Sequence, residues 1–424
     1  PWHTPAAGAH HRPPVTTRLQ EEGMVEAQLL VESLLSMWWI ALAALLAPVL
    51  ALATKRTIPD VVWLLALGAL IGPHALGLAE QTEPVGFLRE LGMGFLFLLA
   101  GFEVNTADLR GRQGRKAART WLICALLGTG AGFLLIQGDW HVAVVLGIAS
   151  TSTALGTLLP ILKDAGIMTT PLGRATMIHG ACGELLPIVA MSLLLSTRGT
   201  WQAALVLVLF AVAAVVTVAV PARIYRRIPL LGRAFAAAAN STMQTTLRVS
   251  VWVLITLMLL TAVLELDVAL GAFAAGLLLN SMLRAISAEQ AAEIMHKVEI
   301  VGFSLLIPVF FVTSGMGIDV GAVLAQWPVL IGFVMMITLV RGLPVTGAEL
   351  GVQTHSGLVG TRQKVALGLY SATGLPIIVA VTQIAASSEL ITTTTAATMV
   401  TGGAVTVLVF PLIASRLTSH RGGR

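Results

Sequence analysis

The sequence predicts an all-α polytopic membrane protein with about thirteen transmembrane helices, two inverted six-helix repeats joined by a linking helix, and one broken helix in each repeat. Three observations carry that prediction. The composition is apolar, basic residues alternate between successive loops, and a Ser/Thr/Gly cluster followed by Leu-Pro recurs in the fifth segment of each half.

Of 424 residues, 56% are hydrophobic and 11% charged, and the mean hydropathy is +0.87. A soluble domain devotes about 25% of its residues to charge, so this composition excludes a soluble protein. Cys124 and Cys182 lie far apart in apolar runs, which argues against a disulfide framework or a metal cluster; neither metal nor cofactor is expected. Residues 1–23 are polar, rich in Pro and His, and lack the apolar core of a signal peptide. They are expected to form a disordered N-terminal tail reaching to about residue 30, before a membrane domain over 31–418 and a short cytoplasmic tail over 419–424.

A spanning helix takes about 20 apolar residues. Segments of that kind fall near 36–53, 58–77, 86–103, 118–137, 141–163, 172–196, 201–221, 245–263, 267–284, 299–316, 322–346, 363–386 and 393–416. Cytoplasmic loops collect Lys and Arg. Alternate connections hold Lys55 and Arg56; Arg110, Arg112, Arg115, Lys116 and Arg119; Lys163 and Arg174; Arg223, Arg226, Arg227, Arg233 and Arg248; Arg284 and Lys297; Arg362 and Lys364; and Arg416, Arg421 and Arg424. The opposite set holds only Arg89 and Arg198, which places the N-terminus outside and the C-terminus in the cytoplasm. The net charge of +5 belongs to this asymmetry and implies no nucleic-acid partner; the partner surface is the lipid bilayer.

Thirteen segments divide as six, one and six, so the second six starts from the opposite side of the membrane. The fifth segment of the first set reads ASTSTALGTLLPIL (149–162), and that of the second reads LYSATGLPIIVAVTQI (369–384). Pro removes a backbone donor, and Gly with adjacent Ser/Thr lowers the cost of interrupting a membrane helix. Matched interruptions in inverted halves point to a transporter's binding site. The candidate binding groups are Thr151, Ser152 and Thr153 in one break and Ser371, Thr373 and Gly374 in the other, with the breaks expected near 153–156 and 373–375 and close together. The alternative is an ordinary kinked helix in each place.

The sixth segment contains HGACGELLPIVAM, with one carboxylate, Glu184, between Gly183 and Pro187. A charge at the bilayer centre costs about 3 kcal/mol or more, so it needs a proton, a partner or a hydrated cavity. A structural, permanently protonated Glu is the alternative. Arg341, in ITLVRGLPVTGAEL, either pairs inward with Glu184 or snorkels to the interface. Glu103, closing the third segment, is a secondary candidate, and Asp319 reads as a helix-end residue. His179 lies five residues before Glu184, about 140° around the helix, and is expected to face another neighbour.

GFLFLLAGFEVN, ASTSTALGTLLPILKDAG, LGAFAAGLLLNS and PVFFVTSGMGID, in that order, resemble the membrane domain of the monovalent cation:proton antiporters, in the bacterial branch that includes the potassium-efflux systems. The likeness covers about residues 30–418. It implies the sodium/proton antiporter fold, with a dimerising panel, hence a homodimer, and a mobile core in which the two broken helices cross beside an acidic motif. Gly183-Glu184 stands in that region, whereas aligning on Pro187 puts Cys182 at the family Asp. The sequence departs from the family by losing the polar residue before the carboxylate and by using Glu for Asp. The expected function is exchange of Na⁺ or K⁺ for protons by alternating access; the alternative is a degenerate or regulatory paralogue, or a gated cation conduit, without coupled exchange. No HExxH or GxSxG motif occurs, and no enzyme is expected.

Overall fold

A computed structural model of the protein describes residues 15–54, 58–104, 109, 111–135, 140–194, 200–227, 245–284, 288–351 and 356–419. The expected basic-loop residues Lys55, Arg56, Arg110, Arg198, Arg233, Arg421 and Arg424 lie outside them, as does the tail up to residue 14. Within the stretch expected as tail, a helix already runs from Val15.

The described residues form α1 (Val15–Ala53), α2 (Asp60–Ile71), α3 (Glu83–Glu103), α4 (Arg112–Leu135), α5 (Trp140–Ser150), α6 (Leu155–Asp164), α7 (Pro171–Leu194), α8 (Thr200–Arg227), α9 (Thr245–Val263) and α10 (Val268–Arg284). Then follow α11 (Ala288–Val301), running through a π-helical turn at Gly302–Leu306 into α12 (Ile307–Met316), and the short α13 (Val320–Ala325). Next, α14 (Trp327–Ile337) passes through a second π-helical turn at Thr338–Gly342 into α15 (Leu343–Gly351). The chain closes with α16 (Thr361–Ser371), α17 (Pro376–Ser387) and α18 (Thr393–Ser419). Asp319 caps α13, its Oδ1 accepting the Ala322 N–H at 2.9 Å.

Among the described residues, nine helices are long and apolar enough to cross a membrane. Shorter apolar helices at Asp60–Ile71, Trp140–Ser150, Ala204–Val216 and Val268–Leu283 occupy the other four expected positions. By length and composition, nine of the thirteen expected spans are therefore marked among the described residues. Part of the shortfall has a local cause: α2 ends at Gly72, whose N–H bonds Gly68 O at 2.9 Å before a turn, and the fifth segment is cut in two after Ser150.

The helices pack as two bundles: α1, α2, α3, α9, α10, α11 and α12 contact one another, as do α4 to α7 and α14 to α18. The first bundle is closed by glycines. A methyl on Gly101 would strike the Phe273 carbonyl of α10, and one on Gly276 would strike the Leu98 carbonyl of α3. Gly68 of α2 and Gly315 of α12 meet each other's helix in the same reciprocal way. With no hydrophobic drive between helices in lipid, such small-residue contacts supply the packing. The outer faces carry exposed Leu, Val and Trp, for example Leu126 on α4 and Trp252 on α9.

Because backbone lies directly opposite Gly276, its replacement has no flexible side chain to push aside. Gly276→Leu is expected to destabilise the purified protein by about 1–3 kcal/mol, read as a lower thermal midpoint in detergent, whereas Gly332→Leu, at a position open to its surroundings, leaves the midpoint unchanged.

Candidate functional site

Both expected interruptions are present and in contact. The first covers residues 151–154, between α5 and α6, and the second residues 372–375, between α16 and α17. At each one, the end of a half-helix leaves backbone groups that a continuous helix would have paired, and the site is built from how those groups are satisfied.

Three successive N–H groups at the start of α6 find three different partners. Thr153 N–H bonds Gly183 O at 3.0 Å, Ala154 N–H bonds Thr373 O at 2.8 Å, and Leu155 N–H bonds Glu184 Oε1 at 2.7 Å. The first bond is written into the sequence. Pro187 has no N–H, so the carbonyl four residues earlier, that of Gly183, loses its helical donor, and the first break supplies a replacement. The second bond joins the breaks. The third sets the Glu184 carboxyl on the N-terminus of the half-helix α6, where the helix dipole favours negative charge. Glu184 is buried, at 3% exposure.

Arg341 lies in the π-helical turn between α14 and α15 and is fully buried. It points into the protein. Its Nη2 donates to His179 O at 2.9 Å and to Thr153 Oγ1 at 3.2 Å, and its Nε donates to Ser371 O at 3.3 Å. Cys124 Sγ lies 4.0 Å from Nη1. Ser371 ends α16, so the guanidinium sits at the negative end of a helix while Glu184 sits at the positive end of another. Thr153 Oγ1 also donates to Ser371 O, so this hydroxyl and the guanidinium share one carbonyl.

Gly183 and Gly374 are the points of closest approach. A methyl on Gly183 would meet Thr153 Oγ1 and Arg341 Nη2, and one on Gly374 would meet Ser152. Thr406 of α18 exchanges hydrogen bonds with Gly374 through its hydroxyl, at 3.3 Å to the carbonyl and 3.4 Å from the N–H.

The structure therefore brings together Glu184, Thr153, Gly183, Ser371, Thr373, Gly374 and Arg341. Thr151, Ser152 and Thr373 are at the breaks, but their hydroxyls donate back to carbonyls of their own half-helices, Ile148, Ala149 and Leu369, at 2.9–3.1 Å. Cys182 is turned away from the crossing, packing with Ala117 and Ile178, its thiol 3.9 Å from Gly114 O of α4. Glu103 closes α3 in the other bundle. His179, set aside in the sequence reading, belongs to the site through its carbonyl. Thr406 and the Leu155 N–H carried no sequence signal beyond residue type. Among the described residues no group of three or more His, Cys, Asp or Glu could hold a metal ion.

A helical membrane bundle in which two interrupted helices meet beside a buried carboxylate is the architecture of ion-coupled secondary transporters. The chain belongs to the sodium/hydrogen exchanger family, whose transmembrane model matches residues 41–420. Among curated relatives, it is 25% identical over 317 residues to the putative Na⁺/H⁺ antiporter YjbQ of Bacillus subtilis, covering 70% of this chain and 50% of the relative. It is 26% identical to the probable Na⁺/H⁺ antiporter GerT of Bacillus cereus, covering 75% of this chain and 84% of that one. It is 30% identical to the chloroplastic K⁺ efflux antiporter 2 of Arabidopsis thaliana, covering 71% of this chain and 26% of the relative. The chain thus spans about half the length of YjbQ and most of GerT. Its fold is similar to that of the sodium proton antiporter MjNhaP1 of Methanocaldococcus jannaschii, with a TM-score of 0.67 and 20% identity over 92% of this chain and 98% of that one.

Thr153→Val, which keeps the shape, removes the hydroxyl acceptor of Arg341 Nη2 and one of the two donors to Ser371 O in a buried site. It is expected to cost about 1–3 kcal/mol, read as a lower thermal midpoint, while Thr153→Ser retains most of the stability. Equal midpoints for the two variants would remove the hydroxyl from the account.

Proposed function

We propose that this chain is a secondary antiporter exchanging a monovalent cation, Na⁺ or K⁺, for protons by alternating access. The observation that carries the reading is the position of Glu184: one buried carboxyl at the N-terminus of a half-helix, beside two breaks whose backbone is already turned toward each other. A carboxyl there holds a proton or a cation, never both, and the carbonyls and hydroxyls of the breaks supply oxygen ligands of the kind hard monovalent ions take. Arg341 holds the crossing together and adds a fixed positive charge against a second cation. With one central carboxyl the exchange is one for one. That several family members carry Na⁺/H⁺ or K⁺ antiporter names supports the same reading.

In this proposal the bundle of α4 to α7 and α14 to α18 is the moving core, and the glycine-closed bundle is the static panel through which two copies pair. In this reading the N-terminus is outside and the C-terminus cytoplasmic, which the alternation of Lys and Arg between successive loops supports.

Reconstituted into liposomes with an internal pH dye, the protein is expected to release or take up protons on addition of Na⁺ or K⁺ and to reverse with the gradient. Glu184→Gln preserves volume and removes the titratable proton, and is expected to abolish that flux while leaving insertion and thermal midpoint intact; Glu184→Asp retains part of it with an altered apparent cation affinity. Exchange at the wild-type rate by the Gln variant would make Glu184 structural and move the coupling site elsewhere.

A further inference from the structure

Helix α4, in the bundle that holds the crossing, has two unlike faces. Gly114, Ala117, Cys124 and Gly128 are buried. They pack inward: Ala117 lies with Cys182 of α7, and a methyl on Gly128 would meet Ser150 and Val340. The other face is exposed, and its chemistry changes along the helix. It begins with Arg112, Arg115 and Arg119 and continues with Leu122, Ile123 and Leu126. With about 3.6 residues per turn, these spacings keep all six on one side of the helix. None of the three arginines has a carboxylate partner among the described residues, whereas Lys297 on α11 is paired with Glu293 at 2.7 Å. Helix α15 packs beside α4. Its carboxylate, Glu349, is buried and accepts the Ser356 hydroxyl at 2.6 Å. Its exposed residues near α4 are apolar, Leu343 and Leu350, on either side of Gly347, where a side chain would meet nothing within 4 Å.

We propose that the start of α4 is a binding site for an anionic phospholipid, its phosphate held by Arg112, Arg115 and Arg119 and its acyl chains lying along Leu122, Ile123 and Leu126. A guanidinium bonds phosphate oxygens through two N–H groups at once. A stripe that passes from basic to apolar within one turn matches a molecule whose anionic head is joined to apolar chains. A soluble anion would use the arginines and leave the leucines unexplained. Clusters of basic residues where a helix leaves the bilayer attract anionic lipid. A zwitterionic lipid offers the same phosphate but carries an ammonium group, which the stripe repels. The face lies outside the glycine-closed bundle assigned above to pairing, so two paired copies leave it turned to lipid. The site rests on charge and exposure, and its test reads binding and not flux.

The full chain, purified in a non-ionic detergent, is titrated with phosphatidylglycerol or phosphatidylcholine and the bound lipid is counted by native mass spectrometry. The parent is expected to hold phosphatidylglycerol about tenfold more tightly. The triple variant Arg112→Gln, Arg115→Gln, Arg119→Gln is expected to lose that preference. A control triple, Arg248→Gln, Arg362→Gln, Lys364→Gln, removes the same charge from α9 and α16 and is expected to keep it. Equal thermal midpoints show that both variants are folded. Equal binding of the two lipids by the parent overturns the site without recourse to any variant, and so does an equal loss in both triples. Displacement of phosphatidylglycerol by inorganic phosphate at matched concentration would assign the arginines to a free anion and overturn the lipid. If the parent shows no preference and the first triple alone loses its dimer, the face is an interface between copies and the lipid is likewise overturned.

Discussion

The carbonyl of Gly183 is the group on which the site depends. In a bilayer every backbone polar group has to be satisfied from within the protein, and Pro187 removes the donor that an ordinary helix would have offered this one. The vacancy is filled by Thr153 N–H from the first break. That bond fixes α6 against α7, and once it is made the next two N–H groups of α6 have little freedom: one meets Thr373 O in the second break and the other meets Glu184. A single missing N–H in one helix thus specifies how an interruption in a second docks, and through it how an interruption in a third is placed.

Arg341 addresses the opposite deficit. The C-terminal ends of half-helices present unpaired carbonyls, and burying them costs as much as burying unpaired donors. A guanidinium, rigid and with several N–H groups in a fork, reaches the carbonyls of Ser371 and His179 and the hydroxyl of Thr153 at once. An ammonium at the end of a flexible stem has three donors but no fixed fork, so it matches this arrangement less well. The buried positive charge is therefore offset by helix-end dipoles as well as by hydrogen bonds, and the π-helical turn that carries Arg341 shifts the register of α14 relative to α15 so that the side chain points at the crossing.

Much of this was legible in the sequence, for reasons tied to particular residues. The Ser/Thr/Gly clusters ahead of Leu-Pro marked the two interruptions to within two residues; Pro376 directly follows the second break, whereas Pro160 lies within α6. Glu184 stood out because charge is scarce in apolar segments. The partners did not stand out. Whether Arg341 turned inward depended on a π-helical turn that leaves no compositional trace in TLVRG. The choice between Cys182 and Glu184 depended on helix rotation, and only the contacts of α7 with α4 on one side and α6 on the other separate the two. The early end of α2 came from a turn at Gly72 inside an otherwise continuous apolar run. A cavity lined by Glu90, Asp267 and Gln383 assembles residues nearly three hundred positions apart, each unremarkable in its own segment.

The two kinds of packing in the molecule differ in how readily each gives way. Reciprocal glycine contacts bring α3 and α10 to backbone distance, so that sliding one past the other would drive carbonyl against carbonyl; the same holds for α2 and α12. Such surfaces are bistable at best and resist graded displacement. The α17–α3 contact has another character, being made by the Gln383 amide and the Glu90 carboxylate at 3.3 Å over a cavity large enough for several waters. A bond of that kind exchanges for water at small net cost, whereas a glycine seam has no substitute for the packing it loses. The energy of the fold is thus concentrated within each bundle, and the surface between them at this contact is held by groups that solvent and ions can replace. In the proposed exchange, a core that opens Glu184 to one side of the membrane and then to the other needs that division.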